Sequence, residues 1–286
     1  MRAMTAPDED PEKVYQTCVD SISDRDLRAR LNALTNDIGI AATHYHQKAT
    51  AKQLYTLPPN DSSNDDIALG TATKAELTNV YSRHMVGKTK PARAIYDSLL
   101  SRAPLGRCPF CGVGYASTLD HYLPKTKYPQ LSVLPLNLVP SCKDCNTGKS
   151  TAIYSTAGEQ SLHPYYDHQN FVNEQWLYAE VIRTSPASIH FYVQAPANWD
   201  NVSKARIQSH FRDFKLAFRY SIEASNQIAC LRETLSRYRD ILGTEGMKQH
   251  LIIEAEANYR QHINSWQTAM FQALAASDWY CDRGFR

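Results

Sequence analysis

No apolar run in this chain approaches the roughly 20 residues that a membrane span requires, so no membrane-spanning helix is expected. The first ten residues, Met1 to Asp10, are polar and acidic and lack the apolar core of a secretory signal. Cysteine is sparse outside one stretch. Cys18, Cys230 and Cys281 stand singly, a pattern that excludes a disulfide framework and fits a reducing compartment. A cytoplasmic location is the expectation. There is no internal repeat, and the net charge of +2 excludes neither acidic nor basic partners.

What is present is unevenly spread. Residues 1–82 carry 8 basic and 12 acidic side chains, residues 83–150 carry 10 and 3, and residues 151–286 carry 13 and 14. The positive charge therefore gathers in the middle, as a protein that grips phosphates locally would have it. A solvated basic surface would look the same. The 43% hydrophobic content supports a buried core, and 286 residues suffice for one large domain or two ordinary ones.

The basic segment contains the other four cysteines, as Cys108-Pro109-Phe110-Cys111 and Cys142-Lys143-Asp144-Cys145. Two such pairs offer four thiolates at the spacing of a tetrahedral structural Zn²⁺ site. The 30 residues between them exceed the roughly 15–20 of a simple ribbon, so something folded must lie between the knuckles. That insert holds Asp120-His121 and Asn137, and Asn146 follows the last cysteine. The pattern predicts a hairpin followed by a helix: a first strand over Ala116–Tyr122, a second running through residues 136–140, and a helix beginning between Cys142 and Cys145. Gly148-Lys149-Ser150 has the tail of a phosphate loop, but Lys143 stands where its first glycine must be.

Around this segment the chain reads as helical. Leu27, Leu31, Leu34 and Ile38 recur at helical steps after Ser23-x-x-Asp26, a box-like helix start. His44 and His46 lie two apart and point to different helical faces, so packing or surface roles are expected. Residues 58–66 form a loop, and helices resume at Lys74–Met85 and Pro91–Ser101, the latter burying Ala94, Ile95, Leu99 and Leu100. His163, fixed before Pro164, either reaches back toward the insert or is structural. Trp176–Ile182 and Ser188–Val193 predict a β-hairpin. Beyond Asn201 the pattern is helical, with breaks near Tyr220 and Gly243–Gly246 and a core of Phe211, Phe214, Leu216, Phe218, Leu231, Leu235, Ile241, Ile252 and Ile253. Arg206, Arg212, Lys215 and Arg219 read as a solvated basic face.

The combination Cys108-x-x-Cys111, Asp120-His121, Asn137-Leu138, Cys142-x-x-Cys145-Asn146-x-x-Lys149 resembles the HNH, or ββα-metal, endonucleases in their four-cysteine form. It covers about 42 of the 286 residues. The resemblance implies His121 as general base and Asp120 and Asn146 as ligands of a catalytic Mg²⁺ or Mn²⁺. It also implies that Asn137 braces the loop and orients the histidine, and that Lys149 and Lys125 contact substrate phosphates. Asn146 stands where many relatives have histidine, which leaves metal preference open. Adjacent strand residues point to opposite faces, so Asp120 and His121 must sit where the strand twists or ends.

The expected fold is α+β: a helical segment over 1–102, a small zinc-clamped ββα unit over 103–168, and a β-hairpin with helices over 169–286. The arrangement is also similar to the PtuB-like HNH component of Septu-type antiphage systems, which implies an ABC-like ATPase partner. The expected activity is phosphodiester hydrolysis in nucleic acid, DNA before RNA. An RNA-cleaving or tRNA-cleaving toxin and a non-catalytic zinc module that binds nucleic acid or protein stay open.

Overall fold

A computed structural model describes residues 1–148, 153–167 and 170–284. The described residues form helices and three two-stranded antiparallel ribbons, an α+β architecture. The chain separates into two compact units, Arg2–Asp167 and His168–Arg286 with Met1.

In the first unit, α1 (Pro11–Asp20) starts where the Asp10 carboxylate accepts from the amides of Glu12 and Lys13, with proline at its first turn. α2 (Arg25–Asn32) is capped by Asp24, which takes the amides of Asp26 and Leu27. The helix start therefore falls on Asp24 and not Ser23, because a carboxylate at this position meets two amides at once. Leu34 breaks the chain before α3 (Thr35–Thr50), so the apolar stripe from Leu27 to Ile38 is shared by two helices. A short ribbon, β1 (Ile67–Leu69) and β2 (Ala72–Thr73), leads into α4 (Lys74–Asn79). α4 opens with a complete capping box between Thr73 and Glu76 and passes into a π-helical turn, Val80–Met85. The buried Lys74 ammonium donates to the carbonyls of Asn60 and Ser62 and so holds the 58–66 loop. α5 (Arg93–Ser101) begins two residues after Pro91. It buries Tyr96 and Leu99, with Ala92 just before it, while Ala94 is exposed.

The hairpin between the knuckles comes next. β3 (Thr118–His121) pairs with β4 (Leu138–Ser141) in regular register, Asp120 opposite Val139 and His121 opposite Leu138. α6 (Lys143–Gly148) follows at once. The strands are shorter than the apolar pattern predicted. A two-stranded ribbon has only edges, which is why Pro140 is accommodated within β4. Leu119 and Leu138 join the same apolar core as Val14, Cys18, Leu31, Met85 and Leu99. The N-terminal helices thus form the bed on which the hairpin rests.

The second unit contains α7 (Asn170–Asn173), the hairpin β5 (Leu177–Ile182) and β6 (Ser188–Val193), α8 (Asn201–Asp213), α9 (Leu216–Gln261) and α10 (Trp266–Ala276). The expected break near Tyr220 falls at Lys215, which takes a left-handed conformation between α8 and α9. At Gly243 φ is +71°, a region that only glycine enters freely. There α9 bends: the rings of Tyr238 and His250 stack 4.5 Å apart, whereas a straight helix would separate them by about 18 Å. The buried face of α9 runs Tyr220, Ala224, Ile228, Leu231, Leu235. Phe218, Ile241 and Ile253 lie off that face and are 67%, 78% and 56% exposed, so they are not core residues as the apolar pattern implied. Arg206 is buried over the Phe171 ring and is not part of a solvated face. No described helix is long and apolar enough to cross a membrane.

Candidate functional site

The two Cys-x-x-Cys pairs meet. The Sγ atoms of Cys108, Cys111, Cys142 and Cys145 all lie within 4.8 Å of one another, and all four residues are buried. The first knuckle turns at Gly112, φ +70°, whose amide donates to the Cys108 carbonyl. The second is folded by the start of α6, where the Cys145 amide donates to Cys142 Sγ at 3.4 Å. Cys111 Sγ and Cys142 Sγ are 3.8 Å apart. Four thiolates about 2.3 Å from one Zn²⁺ in a tetrahedron would be spaced by about 3.8 Å, so the donor set could hold one metal ion and fits zinc. Burial pushes the Cys108 thiol up, while its hydrogen bond to Cys111 brings that thiol down to about 6. Hydrogen bonding from Cys108 lowers Cys142 and raises Cys145.

The clamp holds both ends of the hairpin that carries Asp120 and His121. Both side chains are buried, at 5% and 9% exposed. β3 ends at His121, the last residue paired with β4 before the chain leaves the strand. The ring of His121 meets the ring of Tyr81 edge-on at 4.4 Å, and the negative charge of Asp120 contributes to raising the Tyr81 hydroxyl, after burial and Tyr96. Asp120 and His121 therefore both act on one neighbouring side chain. His121 Nε2 is 2.7 Å from the Ser132 carbonyl oxygen. A ring that donates from Nε2 carries its basic lone pair on Nδ1.

Asn137 is fully buried and makes the loop between the strands into a fixed object. Its Oδ1 accepts from the Leu123 amide at 2.8 Å, and its Nδ2 donates to the carbonyls of Leu123 and Leu131 at 3.0 and 3.3 Å. The Ser132 carbonyl is a direct hydrogen-bond partner of the histidine ring. Asn137 acts one peptide away from it, by fixing Leu131. Ser132 is itself held through its hydroxyl, which donates to the Leu77 carbonyl at 2.8 Å.

Asn146 comes from α6. Its Nδ2 donates to Thr118 Oγ1 at 2.9 Å, which leaves the amide oxygen as the atom suited to a cation. Thr118 and Asp120 are two apart on β3 and share a face, so Asn146 stands over the Asp120 side of the hairpin. Lys125 lies beyond the strand end, with its Nζ 2.6 Å from Ser82 Oγ and 5.0 Å from the centre of the Tyr81 ring. Burial pushes its ammonium below the usual lysine range. Lys149 lies outside the described residues. Tyr81, Ser82 and Ser132 were missed by sequence reasoning. Tyr81 falls in a stretch that reads as an ordinary amphipathic helix, and a carbonyl partner such as that of Ser132 leaves no trace in residue type.

His163 does not join this group. It is buried, stacks on Tyr122 at 4.0 Å, shares a hydrogen bond with Tyr45 at 3.0 Å, and accepts from the Tyr165 amide. Tyr122 neighbours His121, so this aromatic cluster is packing behind the strand. His46 meets the Tyr166 hydroxyl at its surface.

One curated relative is Protein ea31 of Escherichia phage lambda, 35% identical over 227 residues that cover 74% of this chain and 75% of the phage protein. No protein-family model matches the chain, and no solved structure matches it.

Proposed function

The chain belongs to the family of Protein ea31 of phage lambda, and we propose that it is a metal-dependent endonuclease hydrolysing phosphodiester bonds, in DNA before RNA. One observation carries the reading: a hairpin and helix of the ββα kind, closed by four cysteines, bear Asp120, His121 and Asn146 within three consecutive elements.

Hydrolysis needs a base for the attacking water and stabilisation of charge on the leaving oxygen. His121 would take the water's proton at Nδ1, with Nε2 held on the Ser132 carbonyl. Asp120 and the Asn146 amide oxygen would hold a divalent cation, Mg²⁺ or Mn²⁺, which supplies Lewis-acid stabilisation when bound. Lys125, and Lys149 by the motif, would contact phosphates beside the scissile bond. Lys125 suits the role, because a partly desolvated ammonium bonded to a hydroxyl gains from an anion. Asn137 would keep the loop fixed. The four cysteines would hold structural zinc.

The antiphage role, with an ABC-like ATPase partner in the cytoplasm, rests on the sequence resemblance. The test is incubation of zinc-loaded protein with plasmid, single-stranded DNA and total RNA, with Mg²⁺, Mn²⁺ or chelator, alone and with an ATPase encoded beside it. The reading expects metal-dependent cleavage that D120A and N146A lose. Binding without cleavage in every arm would instead favour a non-catalytic zinc module.

A further inference from the structure

The π-helical turn Val80–Met85 stands outside the motif that the sequence resemblance covers, yet two of its residues reach the candidate site. Tyr81 places its ring edge-on to the His121 imidazole at 4.4 Å, with the planes 74° apart. This is the geometry in which one ring's positive edge meets the other's negative face. The tyrosine is itself fixed: it is buried, and its hydroxyl donates to the Leu119 carbonyl at 3.1 Å, two residues before His121 on the same strand. The next residue, Ser82, binds Lys125, whose ammonium lies over the same tyrosine ring. A π turn adds one residue per turn and re-aims side chains relative to an α-helix, and such turns recur at functional sites.

We propose that Tyr81 is a positioning residue for His121, which holds the imidazole ring in one orientation through its edge-on contact. The proposal rests on His121 being the base of the reaction given above. Ser132 holds Nε2 at one corner of the ring, and the Tyr81 ring packs against the imidazole from the side. A base that swings even about 1 Å from its line to the water can lose about a hundredfold in rate. Ser82 still holds Lys125 when residue 81 is changed, and only the cation–π contact over the Tyr81 ring is lost, so phosphate binding should change less than catalysis.

The experiment compares wild type with Y81L and Y81F in the zinc-loaded full chain, with melting temperature and zinc content checked for each. Two readouts are taken. The first is the ¹³C and ¹⁵N resonances of the His121 ring without substrate. Y81F should retain the wild-type shifts, and Y81L should draw the Nδ1 and Nε2 ¹⁵N shifts together toward tautomer-averaged values, a change far larger than the lost ring current of Tyr81 produces. The second is cleavage, where Y81L should lower kcat at least tenfold with KM within about threefold, and Y81F should stay within threefold of wild type. Nδ1 and Nε2 ¹⁵N shifts that stay as far apart in Y81L as in wild type would overturn the proposal, as would a loss confined to KM. If Y81L moves the resonances but H121A cleaves as well as wild type, the contact stands and the assignment of His121 as base fails. The two failures are therefore distinguishable.

Discussion

The molecule contains two hairpins of similar appearance that are held by different means. In β5–β6 six residues pair with six, and burial alternates along the strands: Leu177, Ile189 and Phe191 face inward while Glu180, Ile182 and His190 face out. Apolar packing under one face holds it. In β3–β4 only four residues pair with four, and the alternation is lost, since Leu119, Asp120 and His121 in succession are all buried. Polar groups there need partners other than water, and among those that come from outside the ribbon are the Ser132 carbonyl, Asn146, Tyr81 and Tyr96. A two-stranded ribbon of this length is not stable by itself. Leu119 and Leu138 pack it on the apolar core, and a metal ion held by the cysteine cluster would fix its open end as well.

Removing zinc should break this contrast most. Structural zinc in small domains supplies apparent binding energies of about 10–16 kcal/mol, as large as the whole stability of many domains. Chelation, or C142S, should abolish hydrogen-exchange protection of the β3 and β4 amides and leave that of β5 and β6 in place. Equal loss in both hairpins would show that the clamp does not act locally.

A pair of single substitutions sharpens the difference. F191A opens a cavity under β5–β6 and should cost about 3–5 kcal/mol in urea unfolding with zinc content unchanged. N137A removes three side-chain hydrogen bonds at about 1 kcal/mol each, so it should cost about 3 kcal/mol and release protection first in the loop between β3 and β4. If N137A costs less than 1 kcal/mol, the loop is held by something other than this side chain.

The two hairpins also differ in how far they could be read from residue order. β5 and β6 were legible because alternation and β-branched residues mark a ribbon that one face of packing holds. The meeting of the two cysteine pairs was legible for a different reason, since two cysteines three apart are spaced to serve one metal ion. The residue pattern marks β3 only by its position between the knuckles and overextends it, because a strand buried on both sides has no alternation to mark its ends. In α9 the apolar residues exceed what the buried face can hold, so Phe218, Ile241 and Ile253 could not be told from Leu231 and Leu235 without knowing the bend at Gly243. Tyr81 and Ser132 were illegible because their role depends on a π turn and on a backbone carbonyl.

A smaller effect tests the bed beneath the first hairpin. Glu76 caps α4, the helix that runs into the Tyr81 turn, and its carboxyl is held below the usual range by hydrogen bonds from Arg30 and Thr73. A depressed carboxylate stabilises the fold above its unfolded pKa, near 4.5, and loses that contribution as pH falls through the lower folded value. E76Q keeps the capping box, since glutamine serves at that position, but loses the ion pair with Arg30, so it should cost up to about 1 kcal/mol at pH 7 and less as the pH drops toward 3, measured by thermal melting. A cost that grows with acid would contradict the ion-pair account.

The central claim is that the clamped hairpin carries a base for phosphodiester hydrolysis, and cleavage by wild type and H121A at matched zinc content tests it most directly. With Mg²⁺ or Mn²⁺ and the best substrate of the panel, H121A should bind nucleic acid as wild type does and cleave about 10²–10⁴-fold more slowly. Equal cleavage rates for the two proteins would contradict it.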